Sequence, residues 1–381
     1  MGRTSRIRGI ATWLVLAASL GAGMLFVVVR DWTPSDGARI AFYGDGWSAA
    51  GVRIAPIDAP VPGLEDGDVV TAVDGRSLEA WLRDSSSTSV ARPGAGRSIP
   101  YRLTRDGTPL TIDVAWSESS VGQTLLDGWS VILFSFAFAG VAAFVFARRP
   151  REPAATALMI AACGAAGSSV PWFLGVTVSD VVAGGPFLLH ALVTGPLYML
   201  LWPAGLHLAL VFPASLPVVT RRRWLVPAVY ALALGCYALA MLVGLVASPT
   251  RLEWVGTWPL AQVAVVVPLL GLALGLLVRS YIRTVDRAGR ARIRWATLGG
   301  VASAGIGLVA FMLPELLLRR TLLPDSWIGL AALPLPLGLA AGILRDRLFD
   351  IDVVIKRTLV YGGLTLGVVA TYVGVTSGIS A

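Results

Sequence analysis

A chain of 381 residues with a mean hydropathy of +0.72, 55% hydrophobic and only 14% charged residues is too apolar for a soluble globular protein, where about a quarter of residues are charged. Its net charge of +8 comes almost wholly from arginine, with Lys356 the only lysine. The arginines sit beside apolar runs, as the positive-inside rule requires, which argues against nucleic acid as a partner. Cys163 and Cys236 both fall inside apolar runs, where a thiol is a small packing residue.

A membrane span needs about 20 mostly apolar residues. The first runs from Ile10 to Val29 behind Arg3, Arg6 and Arg8. Its length, and the lack of a small-x-small cleavage site before Asp31, favour an uncleaved span over a signal peptide. Residues 32–122 then turn polar, rich in Gly, Pro, Ser and Asp. DVVTAVDG reads as a strand entering an Asp-Gly turn, and SIPYRLTRDGTPLTIDVAW as a hairpin with Arg105-Asp106-Gly107 at the turn.

Apolar runs return at 126–147, 154–176, 185–211, 224–246, 258–279, 295–318, 326–344 and 358–379. Arginines follow every second run: Arg148, Arg149 and Arg151; Arg221 to Arg223; Arg279 to Arg294; then Arg345, Arg347, Lys356 and Arg357. The loops near 177–183 and 248–257 are almost free of base. A nine-span chain with its N-terminus inside satisfies this alternation, with Arg319 and Arg320 the exception. The expected fold is therefore a polytopic α-helical membrane protein with about nine transmembrane helices and a small β-rich extracytoplasmic domain after the first. It divides into a cytoplasmic N-terminus and first helix (1–31), the external domain (32–122), a seven-helix bundle (123–344), an amphipathic cytoplasmic linker (345–357) and a last helix (358–381). That last run ends at GVTSGISA without flanking charge, as a truncated helix would.

GLEDGDVVTAVDGRSL, residues 63–78, resembles the core of a bacterial PDZ domain, and RPGAGRSIPYRLTRDGTPLTIDVAW resembles its closing half. Gly67 and Gly75 would take positive φ at the turns, and Val69, Val70 and Val73 would face the core. PDZ domains bind extended peptides by strand addition. The resemblance implies that Ser48–Val52 is the receiving loop, with Gly51 and Val52 as candidate peptide-binding residues.

Catalytic motifs are missing. Only His190 and His207 occur, both in the fourth span. No His-Glu-x-x-His, external Ser-His-Asp set, phosphate-binding Gly-Lys loop or acidic metal cluster is present. Ionisable residues inside a membrane are functional candidates by default, which singles out His190, His207 and Glu315. The two histidines, seventeen positions apart, would share one side of a helix at a separation of about 25 Å. The plainer reading is that each bonds a neighbouring helix. Trp202, Trp224, Trp254, Trp258 and Trp327 fall near span ends, where an interfacial belt would put them.

RDRLFDIDVVIK (345–356) has helical amphipathicity, with Leu344, Leu348, Ile351 and Ile355 on one face. LRDRLFDIDVVIKRTLVYG resembles the segment before the last membrane helices of bacterial two-component sensor histidine kinases. Some of these, including quorum-sensing competence kinases, also carry one N-terminal span, an external PDZ-like domain and a polytopic bundle. The resemblance implies a sensor region that binds a peptide or lipophilic small molecule and relays it through Leu348, Asp350, Ile351, Asp352 and Arg357. It also implies a homodimer in the bacterial plasma membrane. In that family a phosphoacceptor helix and an ATP-binding module follow and reach a response regulator; neither is in these 381 residues, so no cofactor is expected here and ATP belongs to the missing module. The alternatives are a transporter, a membrane-embedded enzyme, or a scaffold bearing the PDZ domain.

Overall fold

A computed structural model describes residues 3–344, apart from 42–45, 56–60, 88, 119–120, 284–286, 313 and 315–321. Among the described residues are eight helices long and apolar enough to cross a membrane and one small antiparallel sheet. The sequence-predicted linker and ninth span (345–381), Glu315, and the Arg319–Arg320 exception lie outside the described residues.

Helix α1 (Arg3–Asp31) leads into the sheet domain: β1 (Trp47–Ser48), β2 (Gly51–Arg53), β3 (Val69–Val73), β4 (Arg76–Ser77), α2 (Leu78–Arg83), β5 (Ser98–Arg105) and β6 (Thr108–Ala115). The strand order is β1-β2-β3-β5-β6, with β4 paired to β3. Both predicted Asp-Gly turns form, with φ of 53° and 74° at Asp74-Gly75 and 48° and 81° at Asp106-Gly107. Positive φ at both central residues gives the turn twist that two antiparallel strands need. Val70 and Val73 are fully buried, but Val69 is only half-buried. The register against β5 slips between Val70 and Ala72, and such a bulge breaks the simple alternation of faces. The Gly63–Asp68 loop is held by Arg105, whose guanidinium grips both Asp68 carboxylate oxygens at 2.8 Å and donates to Gly63 O at 2.8 Å. Burial pushes the Asp68 carboxyl up, but the bonds from Arg105 and the Glu65 N–H outweigh it and hold it below the usual range.

The helical part comprises α3 (Val121–Asp127), α4 (Trp129–Arg148), α5 (Pro153–Leu174), α6 (Val178–Ala183), α7 (Gly185–Leu189), a π turn (His190–Thr194), α8 (Gly195–Val211), α9 (Pro217–Arg221), α10 (Leu225–Ala247), α11 (Arg251–Gly256), α12 (Trp258–Arg283), α13 (Arg287–Gly307), a second π turn (Leu308–Met312), α14 (Ile328–Ala332) and α15 (Pro334–Leu344). Helix α5 lies at the centre, packed against α1, α4 and α8; α10 and α12 are peripheral. Small residues set the crossings. A Cβ on Gly299 of α13 would come within 2.9 Å of Gly338 Cα in α15, so these helices meet backbone to backbone. Ser303 of α13 fastens both following helices, donating to Ala332 O at the end of α14 at 3.1 Å and accepting from the Leu335 N–H of α15 at 2.9 Å.

The two ends of the bundle differ. The sheet domain rests on the Gly175 end of α5, on α6 and α7, and on α11. At about 1.5 Å per residue, 22-residue α5 spans about 33 Å, so Arg148, Arg149 and Arg151 lie at the opposite end. The next long helices return the chain to the sheet at Leu252 and Val255, which leaves Arg221–Arg223 and Arg283 away from it. The base-poor loops therefore share one end with the sheet domain.

Candidate functional site

The sheet domain and the helix ends form one hydrophobic core. Trp47, Val52, Val70, Val73, Tyr101 and Trp116 of the domain join Val176, Val178, Val181, Phe187, Leu252 and Trp258 of the helical part. Four rings cross the seam in a row, with centroid spacings of 6.1 Å for Trp47–Phe187, 5.9 Å for Phe187–Trp258 and 5.3 Å for Trp258–Trp254. Trp254 and Trp258 therefore pack inward, and Trp254 donates to Met241 O at 2.9 Å. Trp224 is exposed, as an interfacial anchor would be.

A buried polar cluster sits within this seam. Thr177 caps α6 and forms a reciprocal capping box with Asp180, the arrangement that Thr-x-x-acid spacing favours. It turns the Ser179 N–H and hydroxyl toward the sheet domain, where both donate to Asp36, at 3.1 Å to Oδ2 and 2.9 Å to Oδ1. Asp36 also accepts the Ala38 N–H at 3.1 Å and the Tyr101 hydroxyl at 2.7 Å. Tyr101 in turn accepts from Trp116 Nε1 at 2.9 Å. Burial pushes the Asp36 carboxyl up to about 6, and the bonds from Tyr101, Ser179 and Ala38 keep it from rising further. Burial and the neighbouring Asp36 carboxylate push the Tyr101 hydroxyl well above its usual value.

Beside this cluster, two arginines close the C-terminus of α5. Arg30 donates to Leu174 O and Gly175 O at 3.3 and 3.4 Å and faces Asp180 at 3.7 Å. Arg39 donates to Phe173 O at 2.6 Å. Cations favour a helix C-terminus, where carbonyls lack partners. Arg30 on α1, Arg39 at the start of the domain and Asp36 thus fix the α5–α6 corner from the domain side.

The sequence-predicted residues fall in several places. Gly51 and Val52 form part of β2, which pairs with β1 on one side and β3 on the other. Val52 is fully buried, and the backbone that approaches Gly51 is that of Val70. His190 begins the π turn; its ring lies 5.9 Å from Phe26 of α1, and its Nδ1 has no hydrogen-bond partner among the described residues. His207 Nδ1 lies 3.0 Å from the Tyr230 hydroxyl of α10. The π turn adds a residue to its turn and rotates the helix phase by about 100°, so the two histidines reach different neighbours. Among the described residues no group of three His, Cys, Asp or Glu side chains could hold a metal ion.

Sequence reasoning missed Asp36, Tyr101, Trp116 and Ser179. The capping box at Thr177–Asp180 was readable, but a partner 143 positions away leaves no local signal. Searches against protein-family models, curated proteins and solved structures find no match for this chain.

Proposed function

We propose that this chain is the membrane-embedded sensor region of a bacterial two-component histidine kinase. The eight apolar helices among the described residues cross the plasma membrane, with the PDZ-like sheet domain outside and the N-terminus in the cytoplasm. The base-rich loops lie at the end away from the sheet domain, the arrangement the positive-inside rule favours for this orientation. The kinase assignment rests on the resemblance of residues 344–362 and on the order of the parts.

The observation that carries the reading is the shared core. The sheet domain is not tethered by α1 alone; it packs on the ends of α5 to α7 and on α11. A peptide or lipophilic signal that binds the domain in one position better than another would shift those helix ends with it. The segment at Leu348, Asp350, Ile351, Asp352 and Arg357 would pass that shift to a kinase module working as a homodimer.

Two measurements test this. Reporter fusions placed in the sheet domain and in the Arg148–Arg151 loop should report opposite sides of the membrane; the same side for both defeats the topology. The natural full-length polypeptide, isolated from its source cells, should incorporate phosphate from ATP on histidine. A membrane protein with no phosphohistidine, and no kinase module on its polypeptide, defeats the kinase assignment and leaves the topology standing.

A further inference from the structure

Where α2 of the sheet domain passes the loop joining α10 to α11, the surface opens into a cleft of about 300 Å³. Glu79, Arg83, Leu245, Ser248, Thr250 and Arg251 line it. Its acidic group is already engaged: Glu79 accepts the Leu252 N–H at 3.1 Å and faces Arg83 at 3.5 Å. Thr250 is held in a capping box with Glu253. The Arg251 guanidinium lies 5.8 Å from the centroid of the Trp254 ring. A cation over a ring keeps its edge N–H groups available, and these match two oxygens of one anion. Arg83 is 71% exposed and lies 3.5 Å from Glu79, its one ion-pair contact among the described residues. Two cations and one engaged carboxylate thus line the cleft, and the cations come from the two parts of the molecule that meet at the seam.

We propose that this cleft binds a phosphate group, gripped by Arg251 and Arg83 and bridging the sheet domain to the bundle. The cleft opens at the last turn of apolar helix α10, beside Leu245. In a bilayer that is the depth of the lipid phosphates; this source rests on the membrane reading above, whereas a free phosphate ester would satisfy the same two arginines. By mass action, a ligand bound across the seam holds the domain in its docked position.

The test uses the full chain in phosphate-free detergent, with thermal unfolding followed on addition of phosphatidylglycerol, a phosphate-free galactolipid, or inorganic phosphate. Phosphatidylglycerol or inorganic phosphate should raise the midpoint, and the galactolipid should not. A shift by the lipid alone identifies a headgroup, and a shift by inorganic phosphate identifies a free anion. The single variants Arg83→Gln and Arg251→Gln should each weaken apparent affinity by about tenfold, the loss of one charge-assisted contact of about 1.4 kcal/mol. Arg223→Gln, at the far end, should not. No shift from either phosphate source, or an undiminished shift in both variants, overturns the proposal. Carbonate extraction separates the two readings: a chain stripped from membranes that still responds to inorganic phosphate keeps the site and loses the bilayer.

Discussion

Ser179 gives both its N–H and its hydroxyl to Asp36, a residue 143 positions earlier in the chain. That pair fixes the sheet domain to the α5–α6 corner more specifically than the apolar contacts around it. Asp36→Ala would leave the buried Tyr101 hydroxyl and Ser179 N–H without their acceptor, at about 1–3 kcal/mol each. The expected outcome is a lower unfolding midpoint and faster amide exchange at residues 176–183. Unchanged exchange there would mean that apolar packing alone docks the domain.

The same carboxyl sets a pH dependence. Its folded value of about 6 lies above the ordinary 3.8, so its contribution to stability is full below about pH 4 and is lost as pH rises through about 6. At about 1.4 kcal/mol per unit, the full swing is up to about 3 kcal/mol. Asp68 acts oppositely, because its lowered value stabilises at higher pH and is lost on acidification. The difference in midpoint between wild type and Asp36→Asn isolates the first effect. It should favour wild type increasingly from pH 7 to pH 4.5, and a pH-independent difference would refute the assignment.

Gly51 has a φ of 149° and lies against the Val70 backbone. Gly51→Ala should therefore unfold or strongly destabilise the sheet domain, by about 2 kcal/mol or more. A variant that folds normally but loses peptide binding would restore the sequence-based view of Gly51 as a ligand-loop residue. Circular dichroism together with peptide titration distinguishes the two.

His190 is buried, with Nδ1 unpartnered among the described residues. An apolar replacement removes a polar atom that gains nothing from the fold. His190→Leu should leave stability within about 0.5 kcal/mol of wild type or raise it. His207→Leu should lower it by about 1 kcal/mol by losing the Tyr230 bond. If His190→Leu folds normally yet abolishes signalling, His190 is a functional group inside the bundle rather than a packing one.

The long helices and hairpin turns were legible because their signals are local. Twenty apolar residues in a row, or Asp-Gly between alternating residues, need no distant partner to be read. The eight described helices lie close to the runs expected for them, and Asp74-Gly75 and Asp106-Gly107 turn as expected. The docking of the domain was not legible. Trp254 and Trp258 have the placement of interfacial anchors, and only their position against Phe187 and Met241 shows them packed into the seam. The π turn at His190–Thr194 was equally silent, since an extra residue in one turn leaves composition unchanged while it re-aims everything before it.

At Gly299 and Gly338, α13 and α15 touch through bare backbone. Knobs seated in holes must climb over one another before two helices can tilt, whereas a glycine crossing has none to climb. Such a crossing, pinned on one side by the Ser303–Leu335 bond, would resist separation more than swivelling. From Gly338 to Leu344 the lever is about 9 Å long, so a swivel of about 15° at the crossing would carry the end of α15 by about 2 Å, the size of helix shift that switches known interfaces.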